Sequence, residues 1–211
     1  MEIFLPLTRC GNLPFGYVSE TLLCKNCPMT ALVLIDLQKA IDHSKWRQHG
    51  DRNNFEAEAN IAHLLEAWRK NQRPIYHIRH DSIEPESPYR PHRLGNEFKP
   101  FAAPHPGETV IAKQTNSAFI GTTLESALRA AGHETLVVCG VITNNSVEAT
   151  VRMAGNLGFK TYLAADACYT FARLDWDGQL WSAAQVHALS LANLHGEYCT
   201  VLSTAQILKL F

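Results

Sequence analysis

Asp36, Lys113 and Ser146 are the residues of this chain whose types and positions could do bond-breaking chemistry together. Asp36 ends the apolar run "ALVLID" and Lys113 ends "TVIAK". Alone, each reads as an ordinary polar residue at a strand end. Brought to one cleft, an acid and a base bias each other's ionisation, and a carboxylate held that way can take or deliver a proton. Ser146 belongs to "VVCGVITNNSVEAT", residues 137–150, where an apolar strand breaks at Gly140 and turns into a helix through Thr143, Asn144, Asn145 and Ser146. Such a turn throws a side chain clear of the backbone, and the helix start presents free N–H groups to developing negative charge. Small polar residues also suit a plain helix cap, and the sequence leaves both readings open.

Other reactive side chains carry less. There are ten histidines, but His77 and His80, three apart on a strand, face opposite sides and cannot chelate one ion together. No metal and no cofactor is expected, with His80 at its strand end lining a pocket. Cys139, Cys168 and Cys199 lie in or beside apolar runs and read as small hydrophobes. "CKNC" at 24–27 is a lone C-x-x-C with no second pair after it and no βαβ context before it. Arg79, Arg90 and Arg93 are candidates to meet a substrate carboxylate, and Trp46 and Phe119 to supply apolar walls, with solvated loop residues and core packing as the equal alternatives.

The elements that must position these residues alternate from Met29 onward. Strands are expected at 31–36, 74–81, 109–113, 135–141, 161–166 and 198–202. The first of these is a short apolar run ending in an acid, the form of a buried parallel strand. Between them, Ile61, Leu64, Leu65 and Trp68 make a one-faced helix over 55–69. Thr122 with Glu125 and Ser182 with Gln185 have the spacing of capping boxes opening two more helices. A Pro-rich stretch, 85–106, is a long loop of the kind that usually carries function. The pattern argues for an α/β domain: a three-layer α/β/α, Rossmann-like fold around a mainly parallel six-stranded sheet. Such sheets bind ligands outside their strand carboxyl ends, where strand order reverses. Asp36, His80, Asp81, Lys113 and Ser146 all fall at expected carboxyl ends.

Lys+Arg 19 against Asp+Glu 20 leaves a net charge of −1, with no long run of either sign. That balance gives no electrostatic reason to bind nucleic acid or an anionic membrane. No apolar stretch approaches the ~20 residues of a membrane span. "MEIFLPL" is too short and too acidic at its start for a signal peptide. A cytoplasmic protein acting on a small molecule is expected, with residues 1–28 as a loosely docked extension and 29–211 as the domain.

Five blocks in this order resemble the isochorismatase-like hydrolases of the cysteine hydrolase superfamily: "LVLIDLQKA" (32–40), "PIYHIRHDS" (74–82), "GETVIAKQTNSAFIGTTLESAL" (107–128), "LVVCGVITNNSVEATVRMAGNLGF" (136–159) and "HALSLANLHGEYCTVLSTAQIL" (187–208). The resemblance implies that Asp36 is the catalytic aspartate and Lys113 the catalytic lysine. Ser146 falls where amide-cleaving members carry a nucleophilic cysteine, and Cys139 lies seven positions too early to replace it. A hydroxyl lacks the nucleophilicity of a thiolate unless a base activates it. The change therefore points away from thioester chemistry and toward hydrolysis of an enol ether or related bond, with the aspartate protonating substrate and water attacking. A Ser146 nucleophile paired with Lys113, or a binding protein that keeps the fold, are the alternatives. His43, His49 and Asp51 do not reproduce the metal spacing of nicotinamidases. The resemblance further implies a cis peptide at Val141–Ile142 that aims N–H groups into an oxyanion pocket, and a homo-oligomer. Gln38, His80, Phe119 and Asn145 are the expected substrate contacts.

Overall fold

The computed structural model describes residues 30–211, so "CKNC" and the expected extension lie outside the described residues. In chain order the regular elements are β1 (Ala31–Ile35), α1 (Ala57–Lys70), β2 (Ile75–His80), β3 (Thr109–Lys113), α2 (Leu124–Ala130), β4 (Thr135–Val141), α3 (Glu148–Asn156), β5 (Lys160–Tyr169), β6 (Arg173–Leu174), β7 (Leu180–Trp181), α4 (Ala183–Leu194), β8 (Thr200–Leu202) and α5 (Thr204–Leu210). Six strands form one sheet in the order β3-β2-β1-β4-β5-β8, with all five pairings parallel. The expected three-layer α/β architecture holds.

All five residues of β1 are buried, as a central parallel strand covered by helices on both sides requires. On one face α1 turns Ile61, Leu64, Leu65 and Trp68 inward, and α5 packs beside it. Phe211 meets the Trp68 and Tyr162 rings at 6.0 and 5.6 Å. On the other face α3 buries Val151 and Ala154 and packs against α4. Burying each large aliphatic side chain contributes about 1.5–3 kcal/mol. The chain leaves β1 in one direction across the sheet and β4 in the other, so strand order reverses between them. The crevice at their carboxyl ends is the place where this fold receives ligands.

Four local features differ from the sequence expectation. β5 runs on to Tyr169 instead of stopping at 166, because after an irregularity at Val138/Gly140 its Cys168 and Tyr169 pair with Gly140 and Val141. A small antiparallel hairpin, β6–β7, follows it; its two-residue strands are too short and too exposed to show a period. The expected Thr122–Glu125 capping box does not form. Thr123 is the cap residue of α2 and makes no side-chain cap bond, while the Thr122 hydroxyl donates to Ala118 O and accepts from Leu124 N. The Ser182–Gln185 box does form, and Ser203–Gln206 makes a second one at α5.

Candidate active site

The site grows from the ends of β1, β3 and β4. Parallel register sets His80 beside Lys113 and Ile78 beside Ile35, placing these side chains in rows on one face. Strict alternation would send Asp36, the residue after Ile35, to the opposite face. Instead Asp36 has a left-handed backbone, φ 53°. That conformation costs a non-glycine residue roughly 1–2 kcal/mol and is tolerated mainly at functional positions. It turns the carboxylate to meet Lys113, whose buried chain crosses beside β2. Lys113 Nζ donates to Asp36 Oδ2 at 2.8 Å, to Thr115 O at 3.0 Å and to Ser146 Oγ at 3.1 Å. An ammonium has three hydrogens, and all three are used. The second carboxylate oxygen, Asp36 Oδ1, is buried and has no hydrogen-bond partner among the described residues.

Ser146 reaches this group through a wide π-type turn, Thr143–Val147, that opens straight into α3. The plain capping reading of this turn fails, because its side chains are engaged elsewhere. Thr143 Oγ1 lies 2.8 Å from His187 Nδ1 of α4, and Asn144 Oδ1 accepts from Thr170. The turn begins where β4 passes closest to β1. A Cβ on Gly140, φ 125°, would lie 2.3 Å from Ile35 O, inside any real contact. Only glycine fits there. The Val141–Ile142 peptide bond is cis.

A cavity of about 110 Å³ lies over these groups. Its lining includes Asp36, His80, Val141, Ile142, Asn145 and Ser146 among the residues singled out from the sequence. Lys113 stands behind Asp36, fully buried. Gln38 does not reach the cavity. Its amide donates to the backbone carbonyls of His80 and Asn96 and accepts from His80 N at 2.7 Å, so it clamps the end of β2. Phe119 stacks on Phe159 with ring centroids 5.7 Å apart and serves packing. The three arginines are also occupied elsewhere: Arg79 pairs with Asp81, and Arg90 and Arg93 donate to Ile83 O and Pro85 O of their own loop.

Trp46, a candidate apolar wall from the sequence, does line the cavity. Residues that sequence reasoning did not place complete the wall: Ser87 and Tyr89 arrive on the Pro-rich loop, Lys45 beside Trp46 on a short turn after β1, and Asn116 after β3. The loop's length was the available signal for the first pair. Tyr89 packs edge-on against His80 and Trp46 at 5.5 and 6.2 Å. Burial, reinforced by the Asp36 charge, holds its phenol far above the usual range, so it stays protonated. Burial also lowers His80, with Lys113 opposing the pull of Asp36, and favours a neutral imidazole. His80 Nδ1 is buried without a hydrogen-bond partner among the described residues.

Among the described residues, the thiols of Cys139, Cys168 and Cys199 are buried and do not line the cavity. Burial pushes Cys168 up to about 12 and Cys139 well above its usual value, leaving both protonated and inert. Among the described residues, no three His, Cys, Asp or Glu side chains are grouped to hold a metal ion. His49 lines a vestibule outside the cavity, and Asp51 lies in a separate charged surface depression. No helix of the described residues is long and apolar enough to cross a membrane.

Comparison with known proteins identifies the family. The isochorismatase domain model matches residues 30–206. YrdC of Bacillus subtilis (strain 168), an uncharacterized isochorismatase family protein, is 42% identical over 181 residues, 86% of this chain and 95% of the relative. YddQ of the same organism, of the same description, is 33% identical over 181 residues, 85% of this chain and 99% of the relative. An isochorismatase-family protein of Chromobacterium violaceum ATCC 12472 has a crystal structure that aligns with TM-score 0.83 at 59% identity. It covers 87% of this chain and 94% of its own. The chain belongs to the isochorismatase family of hydrolases, within the cysteine hydrolase superfamily.

Proposed function

We propose that the protein hydrolyses an enol ether, or a related C–O or C–N bond, in a small metabolite, with Asp36 moving the proton and no thiol nucleophile. The observation that carries this reading is the divided carboxylate. Oδ2 is tied to Lys113 while Oδ1, buried and unpartnered, is left for substrate. Asp36 enters the step protonated at Oδ1, with Oδ2 held by Lys113, and delivers that proton to the vinyl carbon of an enol ether. Water attacks the oxocarbenium carbon and returns its proton to the carboxylate. The hemiketal then collapses, breaking the C–O bond and releasing the alcohol, which takes the hemiketal hydroxyl proton. Lys113 holds the carboxylate in place, and the neutral His80 and the Tyr89 hydroxyl line the same space. The Val141–Ile142 segment and Asn145 line the same cavity.

The 3.1 Å contact between Lys113 and Ser146 favours a second reading, in which lysine activates a serine nucleophile for amide cleavage. A lysine that takes the serine proton must present a lone pair. Here an ammonium satisfies Asp36, Thr115 O and Ser146 at once, which supports the first reading. A screen of amides and enol ethers with wild type and Asp36→Asn separates the two. Turnover of an enol ether that falls ~10²–10⁴-fold in a folded Asp36→Asn protein is the expected result. Turnover confined to amides, or unchanged in that variant, would sink the proposal.

A further inference from the structure

The turn that carries Ser146 is held by a buried polar cluster that the hydrolytic step does not use. Thr143, the first residue of the turn, and His187 of α4 are both buried, and Thr143 Oγ1 lies 2.8 Å from His187 Nδ1. The other ring nitrogen, His187 Nε2, lies 3.3 Å from Asn54 Nδ2. That amide can point only one way. Its nitrogen donates to Cys168 O at 2.7 Å and to Ala165 O at 3.1 Å, and a flipped amide would set its oxygen against both carbonyls. A donor therefore faces Nε2, which keeps its lone pair. The single proton of a neutral ring then sits on Nδ1 and is donated to Thr143 Oγ1. Ser190, also on α4, donates to Thr143 O at 3.4 Å, so one helix grips Thr143 by side chain and backbone.

We infer that His187 is a positioning residue: as the neutral Nδ1–H tautomer it latches the Thr143–Val147 turn to α4 and so fixes Ser146 against Lys113. The inference rests on the reading of Asp36, Lys113 and Ser146 as the active site. Burial lowers the His187 pKa against the opposing pull of Ala165 O, which favours the neutral ring. α4 packs on the turn, α3, β5 and β8. Of the titratable groups there, Glu148 accepts from Arg152 and Ser190, and Asp166 accepts from Thr204. Cys168 and Tyr169 stay protonated, and Lys160 and Tyr162 lie at the far, amino end of β5. Beside Asn54, Arg52 pairs with Glu58. A second proton on the ring would go to Nε2, where it faces the Asn54 donor and competes with it for Ala165 O. The latch is therefore intact above the ordinary 6.5 and is lost as pH falls through the lowered value.

Two measurements on the full chain test this without a substrate. Nitrogen NMR of the wild-type imidazoles, with His187 assigned through the backbone, should show the Nδ1–H tautomer and a titration midpoint below 6.5. The second uses Ser146→Cys as a reporter, because a thiol beside an ammonium ionises below the ordinary value of about 8.5. Its alkylation by iodoacetamide, followed by mass spectrometry of the peptide that holds residue 146, reads where the turn sets that side chain. Adding Thr143→Val, which keeps the shape and removes the acceptor, should slow alkylation at pH 7 up to about tenfold, the difference in thiolate fraction between a thiol beside Lys113 and an ordinary one. Thr143→Ser should restore the rate. The wild-type spectrum stands whether or not these variants fold, and neither readout needs turnover, so a failure of the hydrolytic reading in Asp36→Asn remains a separate result. An Nε2–H tautomer, a midpoint above 6.5, or equal alkylation rates with and without Thr143→Val would overturn the latch.

Discussion

At Ser146 a hydroxyl accepts a hydrogen bond from a lysine whose other hydrogens go to Asp36 and Thr115 O. If Ser146 only positions substrate and orders Lys113, Ser146→Ala should keep activity within about tenfold of wild type, the loss of one hydrogen bond. A loss as deep as that of Asp36→Asn, with an ester on Ser146 found by mass spectrometry after trapping with substrate, would make it the nucleophile instead. Asp36 itself carries two burdens, a left-handed backbone and a buried ion pair with Lys113. Removing the charge of either partner leaves the other buried and uncompensated, which commonly costs 3–5 kcal/mol. Circular dichroism must therefore accompany every assay of a variant here. Gln38 shows how adjacency misleads: two positions from Asp36 along the chain, it spends its whole amide on the backbone of His80 and Asn96.

Among the elements, the β4–α3 turn and the Pro-rich loop build the cavity by different means. The turn depends on close approach. Gly140 lets β4 lie against Ile35, which aligns Asp36 and Ser146 across the point where strand order reverses. Gly140→Ala should therefore destabilise the protein by about 3 kcal/mol or more, through both contact and backbone strain. A chemical-denaturation midpoint within error of wild type would contradict the geometry. The loop depends on buried amides. Asn96 donates to His80 O, Asp81 Oδ1 and Tyr89 O, and together with Gln38 it moors the segment that carries Ser87 and Tyr89 over the site.

On the scale of the whole molecule, the layers are joined by a charged group as well as by the core. Burial alone would raise the Glu108 carboxyl. Hydrogen bonds from Arg69 of α1, from the His105 amide and from His77 of β2, with the Arg69 charge, outweigh burial and hold it at about 2. A depressed carboxylate pKa stabilises the fold above the ordinary value near 4.5 and is lost as pH falls from there toward 2. His77 acts in the same direction. Burial lowers its pKa against the pull of Glu108, so acid below its ordinary 6.5 also disfavours the fold. Glu108→Gln should lower stability at neutral pH by up to about 3 kcal/mol and flatten its loss between pH 5 and 2, roughly. Unchanged acid-unfolding curves would remove Glu108 from this role. Leu174, Trp176, Leu180 and Leu189 are exposed on the β6–β7 hairpin and α4, and we propose this apolar surface as the contact of the expected homo-oligomer. Sedimentation at micromolar concentration should show an assembly larger than one chain, and a clean monomer would contradict it.

Local pattern determined the sheet and its helices in the sequence itself. The short apolar run "ALVLI", closed by an acid, has the form of a buried strand, and Ile61, Leu64, Leu65 and Trp68 recur at the spacing that puts them on one helix face. The strand-end rule then gathered Asp36, His80, Lys113 and Ser146 without any contact being known. Tertiary structure alone decided how those four divide their hydrogen bonds, because the left-handed turn at Asp36 and the reach of Lys113 across β2 leave no trace in composition or period. It also decided which polar neighbours face the cavity. Gln38 and Phe119 turned to structure, while Lys45, Ser87, Tyr89 and Arg173 came to the wall from loops and a hairpin edge. Strand and helix order follow from nearest-neighbour chemistry along the chain. A loop side chain's direction follows from what lies across from it, and that neighbour is distant in sequence.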